Sequence, residues 1–254
     1  MYPGASATGT KIITFAPILQ LEQIPLNDLV RKLLDIAEES LQTPVEIEFA
    51  LTIDSQDDTV ARFGFLQVRP MVVSREVVEI SDEEMRGNKI LVASENVLGN
   101  GSIDTLTDIV YVKPESFQAK NTRQIASDIE KLNQKLRDNK TPCVLIGFGR
   151  WGSSDPWLGI PATWGQISAA KVLVESTLPE MNVDLSQGSH FFHNLSSFQI
   201  SYFAVKHTAE YKINWDWLSQ QQAAGETEFV KHIKLLSPLQ VKVDGRSRRG
   251  VIRI

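Results

Sequence analysis

The chain has 254 residues, of which 42% are hydrophobic, enough to bury one large core or two modest ones. Its formal net charge of −5 argues against a general nucleic-acid-binding surface. A single cysteine, Cys143, excludes an intrachain disulfide and suits a reducing compartment. The sequence has neither an apolar run of about 18 residues nor the features of a signal peptide. We therefore expect a soluble, cytoplasmic protein with two domains.

The first predicted element is a helix that follows Pro25 and extends to Gln42. Asn27 is expected to be its N-cap, and Leu33 and Leu34 belong to a set of apolar residues that recur at helical spacing. The apolar face of this helix should pack on the strands that come next.

Two strands are predicted over residues 45–50 and 63–70, because each run alternates polar and apolar residues with a period of two. The polar segment 54–58 is long enough to turn the chain back between them. An antiparallel pair of these strands could bring Glu48 beside Gln67.

The polar face of this hairpin carries chemistry that suits a phosphate and its metal. Glu48 and Gln67 offer hard oxygen ligands of the kind that Mg²⁺ prefers. Arg69, on the same face, has a planar fork of donors that fits phosphate oxygens. The alternative is an edge hairpin whose solvent face is polar without binding anything.

Residues 44–49 followed by 67–70 resemble the closing segment of the ATP-grasp nucleotide-binding domain in the phosphoenolpyruvate synthase and pyruvate phosphate dikinase family. The resemblance covers roughly residues 10–73. It implies that Glu48 and Gln67 are Mg²⁺ ligands and that Arg69 is a catalytic residue that contacts the phosphates of ATP.

The resemblance also implies parts that this sequence does not contain. Only a short stretch precedes Glu46, so the N-terminal half of an ATP-grasp domain is missing. No histidine lies in the phosphohistidine motif of the family, and there is no room for a pyruvate-binding barrel of about 250 residues. We expect a piece of a longer phosphotransferase with a pyruvate or phosphoenolpyruvate class substrate, inactive alone.

The expected organisation is an ATP-grasp remnant over residues 1–80, an acidic linker, and an α/β domain over residues 88–254 with no assigned activity. In the second domain, strand 108–112, helix 122–137 and strand 143–146 predict a parallel crossover in a mixed sheet. A further helix is predicted over residues 166–177. The fold class is α/β, with α+β left open.

A glycine-rich segment over residues 147–161 follows the second of these strands. It lacks the helix that a dinucleotide fingerprint requires. Its glycine amides, with Arg150, Ser153 and Asp155, could hold an anion. The alternative is a packed turn in which both tryptophans fill the core and Arg150 pairs with Asp155.

His190 and His193 are three residues apart, which places them on one face of a helix. They could be metal ligands, catalytic or ligand-binding histidines, or structural histidines. With Arg150 and Asp155 they suggest an alternative function, a non-enzymatic sensor of a phosphorylated metabolite. A third interpretation is a module that docks other domains or forms a homodimer.

Overall fold

The computed structural model of the protein describes residues 15–53, 61–70, 76–87, 89–181, 183–186 and 189–254, without the side chains of Ser189, His190 and His193. The chain divides into two compact units, Met1–Val72 and Val73–Ile254. The predicted turn at 54–58 lies outside the described residues. No helix in the described ranges is long and apolar enough to cross a bilayer.

The first unit consists of two helices and a hairpin: α1 (Ala16–Leu19), α2 (Leu26–Leu41), β1 (Val45–Ile53) and β2 (Ala61–Pro70). The predicted helix is confirmed, but Asn27 is not its N-cap. Helix α2 begins at Leu26, with Pro25 before it, and the Asn27 side chain donates to the carbonyl of Leu19 and to Glu22. Contacts between α2 and β1 place the helix against the hairpin.

The second unit is built on one nine-stranded mixed sheet with helices. Its elements are β3 (Ile90–Ser94), β4 (Val97–Leu98), β5 (Gly101–Val112), α3 (Thr122–Asp138), β6 (Cys143–Phe148), β7 (Arg150–Trp151), β8 (Gly159–Ile160), β9 (Ala170–Ser176), α4 (Ser189–Ser197), β10 (Ser201–Val205), α5 (Trp215–Gln220), β11 (Ala223–Glu226), β12 (Val230–Asp244) and β13 (Arg249–Arg253). Strands β7 and β8 form a separate two-stranded sheet.

The large sheet has the order β3-β13-β12-β5-β6-β9-β10-β4, with β11 paired to β12. Strands β5, β6, β9 and β10 are parallel, and the others pair antiparallel. The α/β class with a mixed sheet, and the parallel crossover through α3, are thus confirmed. Apolar side chains cover both faces of the sheet, one of them beneath α3.

The two ends of this sheet meet because β3 and β4 are halves of one bent segment. The Ser94 hydroxyl donates to the carbonyl of Ala204 on β10 (2.6 Å), and the Ala204 amide donates to the carbonyl of Asn96 (2.9 Å). The sheet therefore curves around the core formed by its inner face, which includes Phe203 and Val241.

Two sequence expectations differ from the structure here. Residues 166–177 form no helix: a 3-10 turn (Trp164–Ile167) leads into strand β9, whose apolar run is buried between neighbouring strands. The segment 80–87 is not a linker, since Ile80 and Met85 are buried in a small core with Ala93 and Val251. The second unit begins before it.

Candidate functional site

The predicted pairing of the hairpin is confirmed by its register. Strands β1 and β2 run antiparallel, with Glu48 opposite Gln67 and Glu46 opposite Arg69. Side chains two residues apart on a strand share a face, so all four polar groups lie on one side of the hairpin. Glu48 and Gln67 are both exposed to solvent.

Arg69 is held by an ion pair across the strands. Its Nε lies 2.5 Å from Oε1 of Glu46, and each side chain keeps about a third of its surface exposed, 36% and 35%. A pair this exposed adds little to the stability of the fold. Its effect is to orient the guanidinium along the face that also carries Glu48 and Gln67.

A β-bulge interrupts the hairpin directly beside these residues. The register passes from Glu48 opposite Gln67 to Phe49 opposite Phe65, so Leu66 has no partner strand residue. Beyond the bulge, Phe49 stacks on Phe63 with ring centroids 4.8 Å apart, on the opposite face. Bulges re-aim neighbouring side chains and are common next to functional sites.

The donor set of this face fits Mg²⁺ better than it fits a transition metal. No three His, Cys, Asp or Glu side chains converge in the part of the chain that the structure describes. One carboxylate and one amide oxygen, from Glu48 and Gln67, match the few protein oxygens that Mg²⁺ uses when phosphate and water supply the rest.

The glycine-rich segment is explained by close packing. A Cβ on Gly147 would lie 2.5 Å from the ring of Trp151, and a Cβ on Gly149 would lie 2.5 Å from the carbonyl oxygen of Leu158. Gly149 also has a positive φ of 70°, which favours glycine. The glycines let β7 pair with β8, and within the described range 89–181 the residues directly after them form strand β7 and a turn, with no helix to receive a pyrophosphate.

The polar side chains of this loop make contacts within the protein. The Nε of Arg150 donates to the carbonyl of Asp184 (2.7 Å). Arg150 and Asp155 are both among the described residues and form no ion pair there, so the pairing expected in the packed-turn alternative is wrong. Asp155 accepts from the amide of Trp157 (2.9 Å), and the Ser153 hydroxyl donates to the carbonyl of Asp155 (3.0 Å). These are the bonds of a local turn.

The two tryptophans of the segment have opposite environments. Trp151 is buried, as the packed-turn alternative requires, whereas Trp157 is 76% exposed. Only one of them therefore fills the core, because the chain leaves the sheet between β7 and β8.

The predicted histidine pair lies on α4, so the helical spacing of His190 and His193 is confirmed. Their side chains lie outside the described residues, and their roles stay predictions. His207 is described: its Nδ1 lies 3.0 Å from the hydroxyl of Thr177, beyond the carboxyl end of β9.

A buried acid that sequence reasoning missed lies close to this segment. Glu175, on β9, has no exposed surface. Its carboxylate accepts four hydrogen bonds: from the amide of Trp151 (2.9 Å), the amide and hydroxyl of Ser186 (2.8 and 2.6 Å) and the hydroxyl of Tyr202 (2.7 Å). The group joins β9 to β7, to segment 183–186 and to β10.

Burial dominates the titration of this cluster. It raises the pKa of Glu175, and the hydrogen bonds from Ser186, Trp151 and Tyr202 oppose the rise without cancelling it. Burial, with the charge of Glu175 next, also raises the pKa of Tyr202. Tyr202 is therefore a neutral donor at physiological pH.

A second missed pair, Asp108 and His232, joins β5 to β12. The Nε2 of His232 lies 2.7 Å from Oδ1 of Asp108, and the Thr107 hydroxyl donates to Oδ2 at the same distance. Burial pushes the pKa of Asp108 upward, but the bonds from His232 and Thr107 outweigh it and leave the pKa lowered. On the adjacent strand, burial raises the pKa of Cys143 to about 12, so its thiol is unreactive.

Neither the Glu175 cluster nor the Asp108–His232 pair has a clear sequence signal. Glu175 is a single acid at the end of an apolar run, and Asp108 opens one, positions where a solvent-facing charge is the usual interpretation. Their partners come from distant segments, which only the sheet order brings together.

Comparison of the chain with known protein families, with curated proteins and with solved structures finds no match.

Proposed function

We propose that this chain contributes Mg²⁺–ATP phosphate contacts to an ATP-dependent phosphotransferase of the phosphoenolpyruvate synthase and pyruvate phosphate dikinase type, and that it turns over no ATP alone. The observation that carries the proposal is the register of the hairpin, which sets Glu48 opposite Gln67 and Glu46 opposite Arg69. The resemblance of residues 44–49 and 67–70 to an ATP-grasp segment assigns these same positions.

Glu48 and Gln67 would hold the metal. Each presents an oxygen on the exposed face of the hairpin, where phosphate and water can complete the coordination. When bound, Mg²⁺ neutralises charge on the phosphates during phosphoryl transfer. The hairpin residues bind and orient the phosphates.

Arg69 would bind phosphate through its guanidinium fork. Its ion pair with Glu46 occupies Nε and fixes the plane of the fork beside the metal-binding pair. Lysine could not reproduce this arrangement, because an ammonium group has no planar fork. Positioning of this kind is the main protein contribution to phosphoryl transfer.

Titration of the protein with Mg²⁺–ATP, followed by backbone amide NMR shifts, tests the proposal. We expect saturable shifts at hairpin residues with a Kd on the order of 1 mM, because half of a nucleotide site binds weakly. Glu48→Gln should weaken binding at least ~10-fold, since it removes the charged metal ligand.

The matched control is Glu39→Gln, which makes the same charge change at an exposed position of α2. It should bind like the unmodified chain. Equal weakening in both variants, or no saturable shift at the hairpin, would contradict the proposal. ATP hydrolysis by the unmodified chain that Glu48→Ala abolishes would refute its inactivity alone.

A further inference from the structure

The second unit contains a cavity of about 730 Å³ beside β10 and the turn between β3 and β4. This volume lies in the range of small-molecule sites, which are typically about 300–1,000 Å³. Its lining includes Leu98, Phe192, Tyr202 and Ser186, so an apolar wall and hydroxyl groups face the same space. None of these residues belongs to the hairpin of the first unit.

The apolar wall is formed partly by aromatic rings. Phe192 on α4 packs against Tyr202 on β10 with ring centroids 5.7 Å apart. Leu98 on β4 lies beside them in the cavity lining. Such a wall accommodates the hydrocarbon or sugar part of a small molecule.

Among the described residues, three of the four charged side chains of the lining lie beside an opposite charge. Lys206 pairs with Asp184 (2.9 Å), Glu210 pairs with Arg86 (2.5 Å), and Glu95 lies 3.6 Å from Arg249, whose nearer partner is Asp82 (2.6 Å). Arg248 also lines the cavity.

In the described part of the chain, Arg248 makes no ion pair, so its guanidinium is open to an anionic group of a ligand.

Arg248 lies in the turn between β12 and β13, which places it in the cavity lining. Its φ is 60°, in the left-handed region that asparagine also tolerates.

The hydroxyl of Ser186 determines whether the ligand group beside it must be a hydrogen-bond donor or an acceptor. This hydroxyl donates its hydrogen to the buried carboxylate of Glu175 (2.6 Å), so toward the cavity its oxygen can only accept. A ligand group that donates, such as a hydroxyl or an amine, complements it. An anionic group would be repelled there by the carboxylate behind the wall.

We propose that this cavity binds a small organic anion whose phosphate or carboxylate is held by Arg248 and whose hydroxyl or amino group donates to Ser186. The body of the ligand lies against Phe192 and Leu98. The site is independent of the nucleotide contacts assigned to the hairpin, so either proposal can fail without the other.

The test is an NMR titration of the full chain with three probes: glycerol 3-phosphate, glycerate and inorganic phosphate. We expect saturable shifts at Ser186 and Tyr202 with at least one of the two organic anions, and weaker ones with inorganic phosphate, which lacks the organic body. The stronger of the two organic probes identifies the anionic group that the site prefers.

Arg248→Asn is the informative variant, because asparagine tolerates the left-handed backbone while the guanidinium and its charge are removed. It should weaken binding at least ~10-fold, as expected when a charge-assisted bond is lost. Arg246→Asn removes the same charge from the same turn outside the cavity lining, and should bind like the unmodified chain.

The proposal would be overturned by no saturable shift with either organic probe, by unchanged binding in Arg248→Asn, or by equal weakening in Arg246→Asn. Glu48→Gln, on the hairpin, should leave these titrations unaltered. Loss of binding in that variant would also contradict the proposal, since it would place the anion on the hairpin.

Discussion

Glu175 shows how one buried side chain ties together segments that are far apart in the sequence. Its carboxylate joins β9 to Trp151, Ser186 and Tyr202 through four hydrogen bonds. Buried acids that receive this many donors hold loops in a single arrangement. The position of Ser186 at the cavity therefore depends on Glu175.

Glu175→Gln is expected to lower the free energy of unfolding by about 2–4 kcal/mol. The amide NH₂ of glutamine would face N–H and O–H donors whose hydrogen bonds the carboxylate of Glu175 accepts. Urea denaturation monitored by tryptophan fluorescence measures the loss. A change below about 0.5 kcal/mol would show that the network does not depend on the charge.

The same variant should change the pH dependence of stability. The pKa of Glu175 is raised in the folded state, so the titration of this group stabilises the fold fully below the ordinary carboxyl pKa of about 4.3. This stabilisation is lost as pH rises through the raised pKa. The unmodified protein should lose more stability over that interval than Glu175→Gln. Parallel stability curves would contradict the assignment.

At the residue scale, the sequence predicted what local alternation determines. Glu48 lies opposite Gln67 because both strands alternate with a period of two and pair antiparallel. The partners of Glu175 and Arg150 could not be predicted in this way. They depend on where segment 183–186 meets β7, which is a property of the tertiary fold.

At the scale of elements, the pair of β7 and β8 depends on glycines at close approaches. Gly159 makes the closest approach, since a Cβ there would overlap the carbonyl oxygen of Arg150 on the paired strand. A Cβ on Gly147, in β6, would lie 2.5 Å from the ring of Trp151, which is itself buried. The glycine pattern that resembles a nucleotide fingerprint is here a packing device.

Gly147→Ala should reduce stability by about 2–4 kcal/mol, since the new methyl would have to displace a buried indole. The matched control is Gly165→Ala, whose Cβ would come no closer than 4.0 Å to Thr163. That variant should change stability by less than about 1 kcal/mol. Urea denaturation of the two proteins measures the difference, and equal losses would contradict the packing argument.

The errors of element prediction have a common physical cause. The helix predicted over residues 122–137 is confirmed, because an exposed helix face alternates with a buried one over four turns. Residues 170–176 are a strand covered on both faces, and its apolar run carries little periodicity. The spacing of Ile167, Ala170 and Val174 also fits a helix, so the sequence alone favoured the wrong element.

At the scale of the whole molecule, the two units differ in how much apolar surface they bury. The described part of the first unit has three buried hydrophobic residues, Ile24, Leu26 and Val45, whereas the second has two extensive clusters on its sheet. An isolated two-stranded hairpin is marginally stable in water, and in the described part of the first unit the hairpin has only two helices and this small buried core to support it. We therefore expect the units to unfold separately.

Amide hydrogen exchange measures this difference residue by residue. Amides of β1 and β2 should exchange through openings of lower free energy than those of β5, β6 and β9. The physical reason is the larger buried core around the central strands. Equal protection in the hairpin and the central strands would contradict the separation.

The central claim is that the polar face of the hairpin binds the metal and phosphates of ATP, and paramagnetic broadening by Mn²⁺–ATP tests it most directly. The account predicts that amide signals of residues 46–48 and 67–69 broaden first, and that Glu48→Gln prevents this. Signals of Thr52 and Arg62, farther along the same hairpin, should be less affected. Broadening that begins elsewhere, or that persists in Glu48→Gln, would contradict the claim.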